Sequence, residues 1–338
     1  MKKFDKILMA HGGGGILTRR LIEEEILPRF QNEALAPLSD SALLNLNHPG
    51  KLAFTTDSYV VTPLFFRGGD IGRLAVCGTV NDLSMAGATP LALSASLILE
   101  EGFPLEDLQK ILDSMAATAR EVGIPIVTGD TKVVERGSAN GLFINTSGIG
   151  IVPEGISVSM SSARPGDVVL INGPIGDHGI AVLSERDGLK FDTPVESDVA
   201  PLNSLVAALF EITPEIHCLH DPTRGGLATG LNEIAGASQV GIRLFEDKIP
   251  LRPEVQGACD LLGLDPLQVA NEGKVIILCP SAFQDALLER LKSHPFGKNA
   301  SVIGEVVEKP AGTVLLKTLI GGERIVDVPY GENLPRIC

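Results

Sequence analysis

The sequence has no apolar run approaching ~18 residues, so a membrane-spanning helix is excluded as its organising feature. Only a short apolar patch, Ile7 to Ala10, precedes His11 and four glycines, and no secretory signal pattern is expected. Basic residues are scarce: 28 Lys and Arg stand against 42 Asp and Glu, for a net charge of −14. A phosphate backbone demands basic surface, so nucleic acid is excluded as a partner. Cysteine is scarce too. Cys77, Cys218, Cys259, Cys279 and Cys338 are scattered and odd in number, with no CxxC, which fits reduced thiols in a cytoplasmic protein better than disulfides or a zinc knuckle. His217-Cys218-Leu219-His220 can place ligands near a metal, but no second cluster accompanies it.

What is present is ample for two domains: 338 residues, 44% of them hydrophobic. Apolar spacing predicts helices over 16–30, 70–85 and 105–122, the last stopped by Gly123, and strands over 52–57, 91–99, 124–128 and 142–152. Around 153–166 the composition shifts to Pro, Gly and Ser, which places a domain boundary there. The second half restarts with strand 168–172, then helices near 178–187, 201–212 and 224–238. Strand 275–279 leads through a capping box, Ser281 to Gln284, into helix 281–293. Strands 301–307, 313–319 and 323–329 follow, the last two a hairpin across Gly321-Gly322. The expected architecture is two α/β (α+β) domains, residues 1–155 and 156–330, facing a shared cleft, with a tail over 331–338.

Four acids lie in small-residue contexts: Asp57 after Thr56, Asp82 after Asn81, Asp130 in Gly129-Asp130-Thr131-Lys132, and Asp221 before Pro222-Thr223-Arg224-Gly225-Gly226. Each reads alone as a turn or helix cap; together they point to a cleft. Carboxylates converging there repel unless a cation sits between them, and Mg²⁺ bridging to phosphates suits oxygen ligands. Gly12, Gly13 and Gly14 precede a helix and read either as a phosphate cradle or as a flexible linker. No Walker A loop and no GxGxxG fingerprint occurs. Glu272, in Asn271-Glu272-Gly273-Lys274 before an apolar strand, reads either as a general base or as a solvated turn acid, and Lys132 can steady phosphate charge.

The chain ends on Cys338, whose thiolate is the nucleophilic form. A terminal thiol is expected to fray, not pack, and eight extended residues from Tyr330 reach on the order of 25–30 Å. Only Leu334 offers an apolar anchor between Gly331 and Pro335, so the tail is expected to swing.

These stretches resemble the ATP-using family that includes aminoimidazole ribonucleotide synthetase, selenophosphate synthetase and thiamine-phosphate kinase. The resemblance rests on the glycine-rich start, Asn81 to Pro90, Thr128 to Lys132 and Asp221 to Gly226. Within it the chain resembles the HypE-like carbamoyl dehydratases of nickel–iron hydrogenase maturation over essentially its whole length. That likeness adds Ala10-His11-Gly12, Thr56 to Val60, Gly176-Asp177-His178-Gly179, Ala270 to Lys274 and the Pro335-Arg336-Ile337-Cys338 ending. The resemblance implies the PurM-like, AIR-synthetase-like two-domain fold, with N-terminal sheets pairing across a homodimer. It also implies ATP and Mg²⁺ as cofactors, a HypF-like carbamoyltransferase as donor and a HypC–HypD complex as acceptor. Cys338, Glu272 and Lys132 would then be catalytic, with Asp57, Asp82, Asp130 and Asp221 on metal and phosphates. Two rivals remain at this stage: a kinase or synthetase of the same superfamily acting on a small molecule, and a non-catalytic carrier or scaffold. A selenophosphate synthetase calls for a reactive cysteine early in the chain, and none precedes Cys77.

Overall fold

The computed structural model describes residues 5–13, 15–35, 42, 44, 49–186, 193–330 and 336–338; Gly14 and residues 331–335 of the tail lie outside this set. The chain enters through α1 (Ile16–Leu21), a π-helical turn at Ile22–Ile26, and α2 (Leu27–Phe30). Pro28 offers no N–H to the carbonyl one turn back, and a wider turn just before it is one way to absorb that loss.

The first sheet is built from β1 (Lys51–Tyr59), which leads through the ribbon β2 (Phe65–Phe66) and β3 (Gly69–Asp70) into α3 (Ile71–Met85), and from β4 (Thr89–Glu100), β5 (Ile126–Val134) and β6 (Leu142–Val152). Helix α4 (Leu105–Val122) crosses between β4 and β5. The strand order is β1-β6-β4-β5, antiparallel except for the β4–β5 pair joined by α4. Asp70 caps α3 by accepting from Gly72 and Arg73 N–H, and Gly123 ends α4 at φ 81°, a left-handed conformation that glycine adopts freely. Both helices cover one face of the sheet through Leu74, Ile111, Leu112 and Met115, all buried. The other face exposes Leu52, Phe54 and Ile98 among the described residues.

The second half holds β7 (Asp167–Ile171), α5 (Asp177–Ser184), α6 (Asn203–Phe210), β8 (Cys218–His220), α7 (Gly226–Ser238), β9 (Gly241–Phe245) and α8 (Pro253–Leu262). They are followed by β10 (Ile276–Pro280), α9 (Gln284–Ser293), β11 (Ser301–Val307), β12 (Thr313–Lys317) and β13 (Glu323–Ile325). The sheet runs β13-β12-β9-β11-β7-β10-β8. One face packs on α7 through Leu227, Leu231 and Ile234, and the other on α6 and α9 through Leu205, Leu209 and Leu287. Burial on both faces explains why β7 and β10 read as unbroken apolar runs.

Several expectations change. Strand 124–128 is β5, which continues to Val134 and carries Asp130 and Lys132 within it; the β4 pairing extends to Val134, so hydrogen bonds keep the polar Thr-Gly-Asp-Thr-Lys run extended. The capping box at Ser281 does not form: Ser281–Phe283 is a 3₁₀ turn, and α9 starts at Gln284 without a side-chain cap. The terminal tripeptide does pack. Ile337 is 2% exposed, and the Val60 N–H donates to the Cys338 carbonyl at 3.3 Å. Burial of the Ile337 side chain anchors the terminus.

Helix α3 lies so close to β1 that a Cβ at Gly78 would stand 2.2 Å from the Tyr59 hydroxyl. Gly78→Ala is therefore expected to destabilise the protein by about 1–3 kcal/mol, the usual range for overpacking, read as a fall in Tm. Adding Tyr59→Phe, which removes the clashing oxygen, should recover part of it; no recovery would show that the contact is not the cause.

Candidate active site

Alternation along β1 turns Thr55, Asp57 and Tyr59 toward α3, and Thr56 and Ser58 toward the uncovered face. The Thr55 hydroxyl donates to Asp82 Oδ2 at 2.8 Å from the strand to the last turn of α3. Across the cleft, Asp221 follows β8, and its carbonyl lies 2.8 Å from His220 Nδ1. Glu272 precedes β10 and is 4% exposed, with Oε1 lacking a hydrogen-bond partner.

These four acids feel one another's charge. Burial first, then Asp221 and Asp57, push the Asp82 carboxyl up to about 7. Burial, then the charges of Asp221, Asp198, Asp57 and Asp82, drive Glu272 well above the carboxylate range. Asp221 is raised by burial and by Asp57, against the opposing pull of His220. No three His, Cys, Asp or Glu groups among the described residues form a ready-made metal ligand set. The donor set nevertheless fits a hard cation: oxygen ligands only, one unpartnered buried carboxyl oxygen, and mutual repulsion that a cation would relieve.

Glu272 is held by its main chain. Its N–H donates to Asp198 Oδ1 at 3.0 Å, and its carbonyl accepts from Asn81 Nδ2 at 3.3 Å. Asn81 also donates to the Ala200 carbonyl and accepts from Leu202 N–H, joining the first half to the second. Asp198 pairs with Lys274 at 2.7 Å, both side chains under a tenth exposed. Burial alone would raise Asp198, but Lys274, His178 and the Glu272 N–H together offset it and leave the carboxyl below its usual range. Sequence reasoning missed Asp198: it lies in an irregular stretch with no periodicity to mark it. Asn81 and Lys274 stood inside noted motifs without a role.

Asp130 and Lys132 lie elsewhere in the single chain. Ser96 pairs with Asp130 and with Asn145, and Asn145 pairs with Ser58, so Asp130 shares the uncovered face with Ser58. Asp57 points the other way, three strands off, about 14 Å at ordinary strand spacing. Lys132 Nζ stands 3.5 Å from Asp130 Oδ2, with the side chains 64% and 59% exposed. Gly12 is seated on β5, where a Cβ would come 2.5 Å from Val133 N; Gly13 is less crowded, and Gly14 lies outside the described residues. His217 and His220 do not share a ligand: His217 pairs with Asp167 at 2.8 Å and His220 with Glu233 at 3.0 Å.

Two α/β halves with an acidic cleft between them define an ATP-using enzyme of the AIR synthase type. Residues 38–152 match the AIR synthase related protein, N-terminal domain, and residues 164–317 match its C-terminal domain. The chain belongs to that family, within its HypE carbamoyl dehydratase branch. It is 53% identical over 336 residues to carbamoyl dehydratase HypE of Cupriavidus necator, covering 99% of this chain and 96% of that one. The crystal structure of hydrogenase maturation protein HypE in complex with ATP superposes with a TM-score of 0.94 at 48% identity, over 98% of this chain and 99% of the other. The structure of a HypE–HypF complex matches at 53% identity and a TM-score of 0.80, over 91% and 99%.

A raised carboxyl in the folded state makes stability fall with pH. Asp82 keeps its proton up to about 7 when folded, against 3.8 ordinarily, so its contribution is intact at low pH and is lost between those values. Asp82→Asn should raise Tm at pH 8 by on the order of 5 °C and change it little at pH 4.5. An equal shift at both pH values would mean that the Asp82 charge is not the source.

Proposed function

We propose that this chain uses ATP to dehydrate a carbamoyl group, carried as a thiocarboxamide on Cys338, to a thiocyanate that supplies cyanide ligands to nickel–iron hydrogenase. One observation carries the reading: the last residue docks on Val60, three residues beyond Asp57, at the end of the strand that lines the acidic cleft.

The amide oxygen of the thiocarboxamide cannot leave as hydroxide. Transfer of the γ-phosphoryl group of ATP to it makes phosphate the leaving group, and ADP departs. The nitrogen then loses two protons as the carbon–oxygen bond breaks, leaving S–C≡N and phosphate. Glu272 is the candidate base, because burial and its neighbours raise its proton affinity and its peptide is fixed at both ends. Cys338 is the covalent carrier. Mg²⁺ held by Asp57, Asp82 and Asp221 would neutralise phosphate charge.

Asp130 and Lys132 belong to this reading through a second copy of the chain. The face they occupy exposes Leu52 at 57% and Phe54 at 68%, and such an apolar face favours pairing of N-terminal sheets in a homodimer. There Lys132 would steady phosphoryl charge and Asp130 would add to the metal ligands. Gly12, Gly13 and Gly14, at the start of α1, would approach the phosphates. We read residues 1–155 and 156–330 as the two domains and 331–338 as the carrier tail. A HypF-like carbamoyltransferase supplies the carbamoyl group, and a HypC–HypD complex receives the cyano group. Cys77, Cys218, Cys259 and Cys279 are buried thiols outside any disulfide, which supports a cytoplasmic site of action; no described helix is long and apolar enough to cross a membrane.

Intact-protein mass spectrometry after incubation with HypF, carbamoyl phosphate and Mg·ATP tests this. Wild type should gain a carbamoyl group and then lose the mass of one water, and Cys338→Ala should gain nothing. Glu272→Gln should be carbamoylated normally but lose water on the order of 10²–10⁴ times more slowly. Water loss at the wild-type rate in that variant would remove Glu272 as base, and carbamoylation of Cys338→Ala would remove the carrier.

A further inference from the structure

The docked terminus is gripped by its main chain. The Arg336 carbonyl accepts from Thr62 N–H at 3.1 Å and from the Arg186 guanidinium at 2.7 Å, the Cys338 carbonyl accepts from Val60 N–H, and Arg336 Nε donates to the Val60 carbonyl at 2.9 Å. Arg336 itself sits at φ 54°, a left-handed conformation that is costly for a non-glycine residue and persists where surrounding contacts over-determine it. The Ile337 carbonyl, between these two, meets His178 Nε2 at 2.8 Å.

His178 is fully buried in the first turn of α5, with its ring edge-on to Phe66 at 5.4 Å between centroids. Both ring nitrogens are committed. A carbonyl only accepts, so Nε2 must carry the hydrogen; Nδ1 must then accept, and the Ser197 hydroxyl 2.8 Å away supplies the donor. Ser197 Oγ in turn accepts from Val199 N–H at 3.1 Å. The next residue, Asp198, holds the Glu272 N–H. One short segment, residues 197–198, therefore supports both the ring that holds the tail and the peptide that holds the candidate base.

We propose that His178 is the positioning residue of the tail dock: in the tautomer imposed by Ser197 it fixes the Ile337 carbonyl, and thereby sets the register of the Cys338 thiol relative to Glu272. The role of this register in catalysis rests on the dehydratase reading above; the dock does not. It also gives a function to the Gly176-Asp177-His178-Gly179 stretch, which the chemistry otherwise leaves unused.

Trypsin reads the dock directly, because cleavage after Arg336 requires the Arg336 carbonyl to leave its donors. The full chain, with Mg²⁺ and a non-hydrolysable ATP analogue present, is treated briefly, and loss of the Ile337-Cys338 dipeptide is followed by intact mass. Wild type should release it slowly. His178→Phe should release it on the order of tenfold faster, the worth of one buried hydrogen bond. His178→Gln, whose amide can still donate, should fall between the two. Ser197→Ala, which frees the ring to take the other tautomer, should speed release several-fold and keeps the test intact if His178→Phe does not fold. Equal rates in wild type, Ser197→Ala and the folded His178 variants would overturn the proposal. So would a His178→Gln as fast as His178→Phe, which would mean packing, not donation, holds the tail. Release reports docking alone, so it can fail while water loss from the carbamoylated chain persists, and the reverse.

Discussion

Like charges crowded into a partly buried cleft repel, and the architecture around Asp57, Asp82, Asp221 and Glu272 holds them against that repulsion. Two unit charges ~6 Å apart at an effective dielectric of ~20 repel by roughly 3 kcal/mol. One hydrogen bond, such as that from Thr55 to Asp82, returns about 1 kcal/mol. The local hydrogen bonds therefore do not balance the charge. Protons or a cation must, and the upward shifts of Asp82, Asp221 and Glu272 are the proton solution. In the proposed chemistry, acids raised in this way would exchange protons for metal and phosphate.

Scaffolding of that site runs through side chains that never touch a substrate in the proposed chemistry. Asn81 and Asp198 clamp the two ends of the Glu272 peptide, one from each half of the chain. The buried Asp198–Lys274 pair is weak grounds for stability, since desolvation offsets most of its attraction. Its effect is geometric: with Lys274 on Oδ2, Asp198 keeps Oδ1 for the Glu272 N–H.

Much of this was legible in the sequence, and the failures have physical causes. Helix α4 was visible because its apolar spacing is undiluted and Gly123 ends it. Strands β7 and β10 were visible as unbroken apolar runs. Strands β8, with three residues, and β9, with five, are too short to show a period, and helix α8 after Pro253 passed unnoticed. Asp57, Asp82, Asp221 and Glu272 were singled out from their neighbours. Which acids face one another was not, because that depends on register: Asp57 and Asp130 share a context in sequence and occupy opposite faces of one sheet. The anchoring role of Ile337 was hidden for a similar reason. An isolated isoleucine says nothing until the pocket that receives it exists.

Strand alternation has a consequence for where the tail can act. A side chain on the α3 face cannot meet one on the uncovered face through the sheet, so Glu272 and Lys132 can serve one reaction only where the sheet ends or a second copy intervenes. The dock lies at such an end. β1 is the edge strand, and the terminus lies along Val60 and Thr62, just beyond it. Ile337 turns inward to the core, while Arg336 stacks over Phe143 with its guanidinium carbon 5.8 Å from the ring centre. Phe143 pairs with Ile98, and Ile98 with Lys132, so Arg336 belongs to the Lys132 face. The last three residues thus straddle the sheet edge, with the buried acids on one side and the exposed cation on the other. In the proposed chemistry a carrier thiol at this edge would not be screened from either face by the sheet itself.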